Sequence, residues 1–158
     1  MKYNDIKHLI KSGDLCVYSG NSFFDGVIKF FTQSKYDHVA IAIIEGEKIN
    51  IIESVLVDGT HIVPLENNLP FYWVSTGVNW THSVEAFAKS NVGQPYSFID
   101  AFRVVTGEGP MHDDEVCSVL AGAIYRSAGV PLDPHLDYSP AALVKYFTDK
   151  GHSINYVD

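Results

Sequence analysis

Asp114-Glu115-Val116-Cys117-Ser118-Val119-Leu120-Ala121-Gly122-Ala123-Ile124-Tyr125 turns abruptly from acidic to small and apolar side chains. Leu120, Ala121 and Ile124 fall three, four and seven positions after Cys117. That spacing belongs to one face of a helix and sets the thiol on its buried stripe. The helix is expected to run to about Ala128, where Gly129 and Pro131 end it. A cysteine in its first turn faces unpaired backbone N–H groups and the positive end of the helix dipole, both of which favour thiolate over thiol. The competing view is a small side chain filling a helix–sheet contact, because free cysteine is often buried. Whether the rest of the chain supplies a base decides between them.

The 158 residues fit one domain, 1–158, with enough chain to bury a core. An apolar fraction of 46% against 19% charged describes a folded chain rather than a disordered one. The net charge is −8 and lysine and arginine form no stripe, so nucleic acid is not an expected partner. The same acidic balance argues against attraction to anionic membranes. No apolar run approaches the ~20 residues of a membrane span, and Met1 to His8 lacks the apolar core of a signal peptide. Cytoplasmic synthesis is expected, with delivery in a virus particle or non-classical export left open. The two cysteines, Cys16 and Cys117, are expected to be reduced. They are too few for a zinc framework, so no metal or other cofactor is expected.

In chain order, Asn4 is placed to cap a short helix in which Ile6, Leu9 and Ile10 share a face, ending near Ser12-Gly13. Asp14 to Tyr18 alternates as a strand, with Cys16 a structural residue inside it. Ser19 to Ser22 forms a turn before an aromatic helix from Phe23 to Phe31, which serves as core or as the apolar wall of a substrate groove. His38 to Ile44 is a nearly all-apolar strand, Glu45-Gly46 a two-residue turn, and Lys48 to Val55 the returning strand. With that turn residues 44 and 47 pair, and His38 lies across from Glu53.

Asp58-Gly59 marks a second hairpin, with strands at Thr60–Val63 and later Phe71–Val74. Val84, Phe87 and Ala88 form a helical stripe ended by Asn91-Val92-Gly93, and Phe98, Ile99, Phe102 and Val105 form another. Thr106 to Pro110 is a loop before the cysteine helix, and Pro131 to Tyr138 is irregular. Ser139 caps a last helix with Pro140 at its first position and Gly151 just past its end. The expected fold is α+β: an antiparallel sheet of about five to six strands from the first half, covered by helices mostly from the second.

Two polar residues sit oddly in this sheet. An imidazole at His38 and a carboxylate at Glu53, amid Ile51, Ile52 and Val55, are costly there without partners. Placed opposite each other they form a carboxylate-oriented base, or merely a pair that satisfies itself. His112-Asp113-Asp114-Glu115 reads as a solvated acidic loop rather than a metal cluster. His61, His82, His135 and His152 have no spaced partner and read as surface residues.

Ser12-Gly13-Asp14-Leu15, Tyr36-Asp37-His38-Val39-Ala40-Ile41, Gly93-Gln94-Pro95-Tyr96, Val116-Cys117-Ser118 and Ser139-Pro140-Ala141 follow one another in this order. As an ordered set, from about Gly13 to Leu143, the chain resembles the circularly permuted NlpC-type papain-like cysteine hydrolases. These include the YiiX-like proteins and are related to the lecithin-retinol acyltransferase family. His38 precedes Cys117, which is the permuted order. The resemblance implies a permuted papain-like domain with Cys117, at a helix N-terminus, as nucleophile, His38 as base and Glu53 as third polar residue. It places Tyr36 and Ser118 on the substrate or oxyanion side. Asp37 departs from the pattern, since a small hydroxyl residue often precedes the histidine.

The implied activity is a cysteine hydrolase cleaving an amide, ester or thioester bond through a covalent acyl-enzyme, with cell-wall (peptidoglycan) peptides and acyl lipids as substrate classes. A non-catalytic lipid- or peptide-binding module on the same scaffold and an acyltransferase are the alternatives.

Overall fold

A computed structural model describes residues 1–19, 35–55, 58–94, 116–133 and 139–158. The expected aromatic helix Phe23–Phe31, the stripe Phe98–Val105, the Thr106–Pro110 loop, His112 to Glu115 and His135 lie outside these residues. Among the described residues the fold is α+β, with a six-stranded antiparallel sheet and four α-helices. The strands are β1 (Leu15–Tyr18), β2 (His38–Glu45), β3 (Lys48–Val55), β4 (Gly59–Pro64), β5 (Phe71–Val74) and β6 (Ile154–Val157), in the spatial order β4-β3-β2-β1-β5-β6. The helices are α1 (Tyr3–Ile6), α2 (His82–Ser90), α3 (Val116–Ser127) and α4 (Pro140–Asp149).

β2 reads as an unbroken apolar run because both faces of the sheet are covered at its centre. Val39, Ile41 and Ile43 point to the side packed by Leu120 and Ile124 of α3 and Leu143 of α4. Ala40 and Ala42 point to the other side, where Tyr3, Ile6 and Leu65 pack. Ile41, Ile43, Ile124 and Leu143 are almost wholly removed from water, each contributing about 1.5–3 kcal/mol. α4 forms as its sequence dictates: the Ser139 hydroxyl accepts from the Ala142 N–H at 3.1 Å and Pro140 takes the first turn.

Several expectations shift. Asn4 lies inside α1 and caps nothing, since the N-cap is Lys2 with no side-chain bond, and Leu9 is exposed. Phe87 is also exposed, because α2 buries only the narrow stripe of Val84 and Ala88. β6, unassigned from sequence, adds an edge strand beside β5. It brings the chain ends together: the Met1 amino group donates to the Tyr156 carbonyl at 2.6 Å, and Tyr3 N–H donates to the Asp158 carbonyl at 2.8 Å. The β2–β3 turn is Gly46-Glu47 rather than Glu45-Gly46, because Gly46 supplies the positive φ of +63° and Glu45 pairs with Lys48.

Ser12-Gly13-Asp14 is a junction rather than a helix end. The Ser12 hydroxyl accepts from Ile44 N–H at 2.8 Å, and the Gly13 carbonyl accepts from the Thr76 hydroxyl at 2.8 Å and the Tyr125 hydroxyl of α3 at 3.0 Å. Buried Asp14 accepts from the Trp73 indole at 2.9 Å and from the N–H groups of Lys11 and Thr76. Burial raises the Asp14 carboxyl, and those donors offset part of the rise. Gly13 itself has φ +93°, and a Cβ there would stand 3.1 Å from the Trp80 ring. Gly13→Ala is therefore expected to cost about 2 kcal/mol, from the left-handed backbone and the crowding together. In a thermal melt this reads as a loss of about 4–8 °C.

Candidate active site

The two strands flanking β3 each bring a histidine to Glu53, and α3 brings a sulfur to one of those histidines. The Glu53 carboxylate accepts from His38 Nε2 on β2 at 2.6 Å through Oε2, and contacts His61 Nε2 on β4 at 2.9 Å through Oε1. Glu53 pairs directly with His61 across β3 and β4. The β2–β3 register pairs Ile41 with Ile52, so continuing it one step sets Glu53 across from Ala40, with His38 two residues along on the same face. The sequence placed His38 directly opposite Glu53, two residues out of register. A two-residue slip preserves the face of every side chain, which is why the contact forms all the same.

His38 and Glu53 are buried, and the Tyr18 ring lies beside the imidazole with centroids 5.6 Å apart. Cys117 is the second residue of α3 as described, buried but retaining 5% of its surface, and its sulfur hydrogen-bonds the His38 ring. Since Nε2 faces Glu53, Nδ1 is the ring nitrogen left for the sulfur. Desolvation by itself disfavours the His38 imidazolium. The charge of the Cys117 thiolate and the hydrogen bond to it, followed by the bond and charge of Glu53, outweigh that and raise His38 to about 10. For Glu53, burial favours the neutral acid, yet the bonds and charges of His38 and then His61 hold its carboxyl below the ordinary value. The pair therefore favours imidazolium at His38 facing carboxylate at Glu53.

Ser118 is fully buried beside Cys117. Tyr36 packs edge-on against Tyr72 at 5.5 Å, with the Lys35 ammonium 4.6 Å above the Tyr72 ring. Asp37 is exposed. Cys16 is wholly buried on β1, and burial pushes its thiol well above the ordinary value. Neither cysteine is in a disulfide.

His61 is the residue that sequence reasoning missed. A two-residue Asp58-Gly59 turn would pair Val57 with Thr60 and put His61 on the face away from Glu53. Instead Gly59 opens β4 across from Val55, a slip of three residues that reverses the face. The signal was present in Glu53 and His61, two polar residues in neighbouring strands. His152 is not a plain surface residue either, since its Nδ1 lies 2.8 Å from the Ser75 carbonyl and its ring packs on Phe147. Among the described residues, no group of three or more His, Cys, Asp or Glu is arranged to hold a metal ion, and no helix is long and apolar enough to cross a membrane.

No protein-family model matches the chain, and no curated protein matches it.

Proposed function

We propose that the chain is a thiol hydrolase of permuted papain-like type, acting on an amide or acyl bond through Cys117, His38 and Glu53. The observation that carries this reading is the position of one imidazole, held by a buried carboxylate on one side and bonded to a helix-borne sulfur on the other. A purely structural His–Glu pair has no need of the sulfur. The order of histidine before cysteine, and an antiparallel sheet covered by the cysteine's helix, support the permuted architecture.

The chemistry follows from the geometry. The Cys117 thiolate attacks the carbonyl carbon, and the carbonyl π pair moves onto oxygen. The backbone N–H of Cys117 and one further donor stabilise that oxyanion. On collapse the carbon–leaving-group bond breaks, and the leaving group takes its proton from His38 Nδ1, leaving a thioester. Water then adds to the thioester as His38 takes its proton. The acid departs, and the sulfur leaves as the thiolate beside a re-formed imidazolium. Glu53 remains ionised throughout and keeps Nε2 protonated. Peptides of the cell wall and acyl lipids are the substrate classes this machinery suits.

The test is mass spectrometry after treatment with a thiol-reactive acyl probe at neutral pH, followed by a peptide and lipid panel. Cys117 is expected to carry the adduct and wholly buried Cys16 to remain unmodified. Equal, slow labelling of both after unfolding, with none in the native protein, would defeat the reading. Products carrying an added amine or alcohol in place of water would reassign it to acyl transfer.

A further inference from the structure

Glu53 has one oxygen more than a Cys–His–carboxylate relay uses. Oε2 serves His38, and the other oxygen is met by His61 Nε2 at 2.9 Å. The Glu53 side chain is only 2% exposed, whereas His61 keeps 28% of its side-chain surface. A carboxylate buried to that extent is stable as an anion only when both oxygens find donors. A carboxylate held at one oxygen can also rotate about its last torsion, which is broad. With a partner on each flanking strand, Glu53 is fixed in plane and in charge.

We propose that His61 is a positioning residue: protonated on Nε2, it donates to Glu53 Oε1 and so orients the carboxylate that in turn holds His38 toward Cys117. This inference rests on the hydrolase reading for its part in turnover, but its physical content, control of His38 by His61 through Glu53, stands apart from turnover. The titratable groups facing Glu53 are His38 on β2, His61 on β4, and Cys16 and Tyr18 on β1, with Cys117 of α3 behind His38. Of these, His61 is the partner of Glu53 that keeps a substantial exposed surface. Substitution there is accordingly the least disruptive way to reach the carboxylate.

The experiment compares wild type with His61→Leu, which cannot donate, and His61→Gln, whose amide reaches about as far as Nε2 and can. Two quantities are followed against pH: the His38 ring by NMR, and the rate at which iodoacetamide alkylates the native protein at Cys117. In His61→Leu the His38 midpoint is expected to fall by about one pH unit, as Glu53 is no longer fixed in plane and its bond to the imidazolium is weakened. Alkylation of Cys117 near neutral pH should slow as its imidazolium partner is less favoured, and His61→Gln should restore both. Where a substrate is turned over, kcat should drop about tenfold in His61→Leu, the equivalent of one pH unit, with KM within about twofold.

His38 midpoints that coincide in wild type and His61→Leu overturn the inference, as does a His61→Gln that behaves like His61→Leu. If His61→Leu does not fold, His61→Thr, a strand former too short to reach Glu53, is read by the same two criteria. An unreactive Cys117 in wild type would sink the hydrolase reading alone, because the His38 titration still decides the role of His61.

Discussion

Cys117→Ala is expected to lower turnover by about 10⁴-fold or more while leaving the fold intact, because no other group in the cluster can carry the acyl intermediate. Cys117 lies against the helix side of the core, and losing one small sulfur there should cost no more than about 1 kcal/mol. The same variant tests the electrostatics. The thiolate is the leading influence raising His38, so the imidazole's midpoint should fall from about 10 in its absence, with Glu53 sustaining part of the elevation. His38→Ala should match Cys117→Ala in turnover and also slow alkylation of the remaining thiol near neutral pH. Full activity in either variant, with correct folding by circular dichroism, is incompatible with the proposed chemistry.

Glu53→Gln is the second large effect. Glutamine retains the shape and a hydrogen-bonding oxygen but removes the charge, so the imidazolium formed during reaction loses its counter-ion. A loss of about 10²–10⁴-fold in kcat is expected, by analogy with neutralising the buried carboxylate of other nucleophile–histidine pairs. Stability against pH carries the same signature. His38 is raised above its unfolded value near 6.5, so its contribution is complete below about pH 6.5 and disappears as pH climbs through about 10. Glu53 is depressed, so its contribution is complete above its unfolded value near 4.5 and disappears as pH falls through its lower folded value. Melting temperature should therefore peak between about pH 5 and 6.5 and decline on both sides. In Glu53→Gln the acid-side decline should shrink, and the alkaline one should start from a less elevated His38. A melting profile unchanged by the substitution would show that the pair contributes nothing to the folded state.

Much of the site was legible because burial makes polar residues conspicuous. His38 and Glu53 stood out as the groups that an apolar β2–β3 hairpin could not tolerate alone, and the helical period after Cys117 located the sulfur. Register was the weak link. Moving the turn from Glu45-Gly46 to Gly46-Glu47 displaced the pairing by two, which the alternation of a strand forgives. The displacement at β4 was odd in number, and it hid His61. β6 escaped notice because Ile154 to Val157 is short, lies at the sheet edge, and alternates too briefly to announce a strand. The buried carboxylate of Asp14 was invisible for another reason: its donors come from Lys11, Trp73 and Thr76, the latter two far along the chain, which no local pattern encodes.

The stitching of Met1 and Tyr3 to Tyr156 and Asp158 has a topological corollary. Where two ends of a polymer already touch, the point of scission is almost arbitrary. A short peptide joining Asp158 to Met1, with a new opening at the Asn91-Val92-Gly93 turn after α2, would leave the described strands and helices unbroken. The polypeptide would then run from sulfur to imidazole to carboxylate, so which of the three comes first reflects only where the loop of chain was cut.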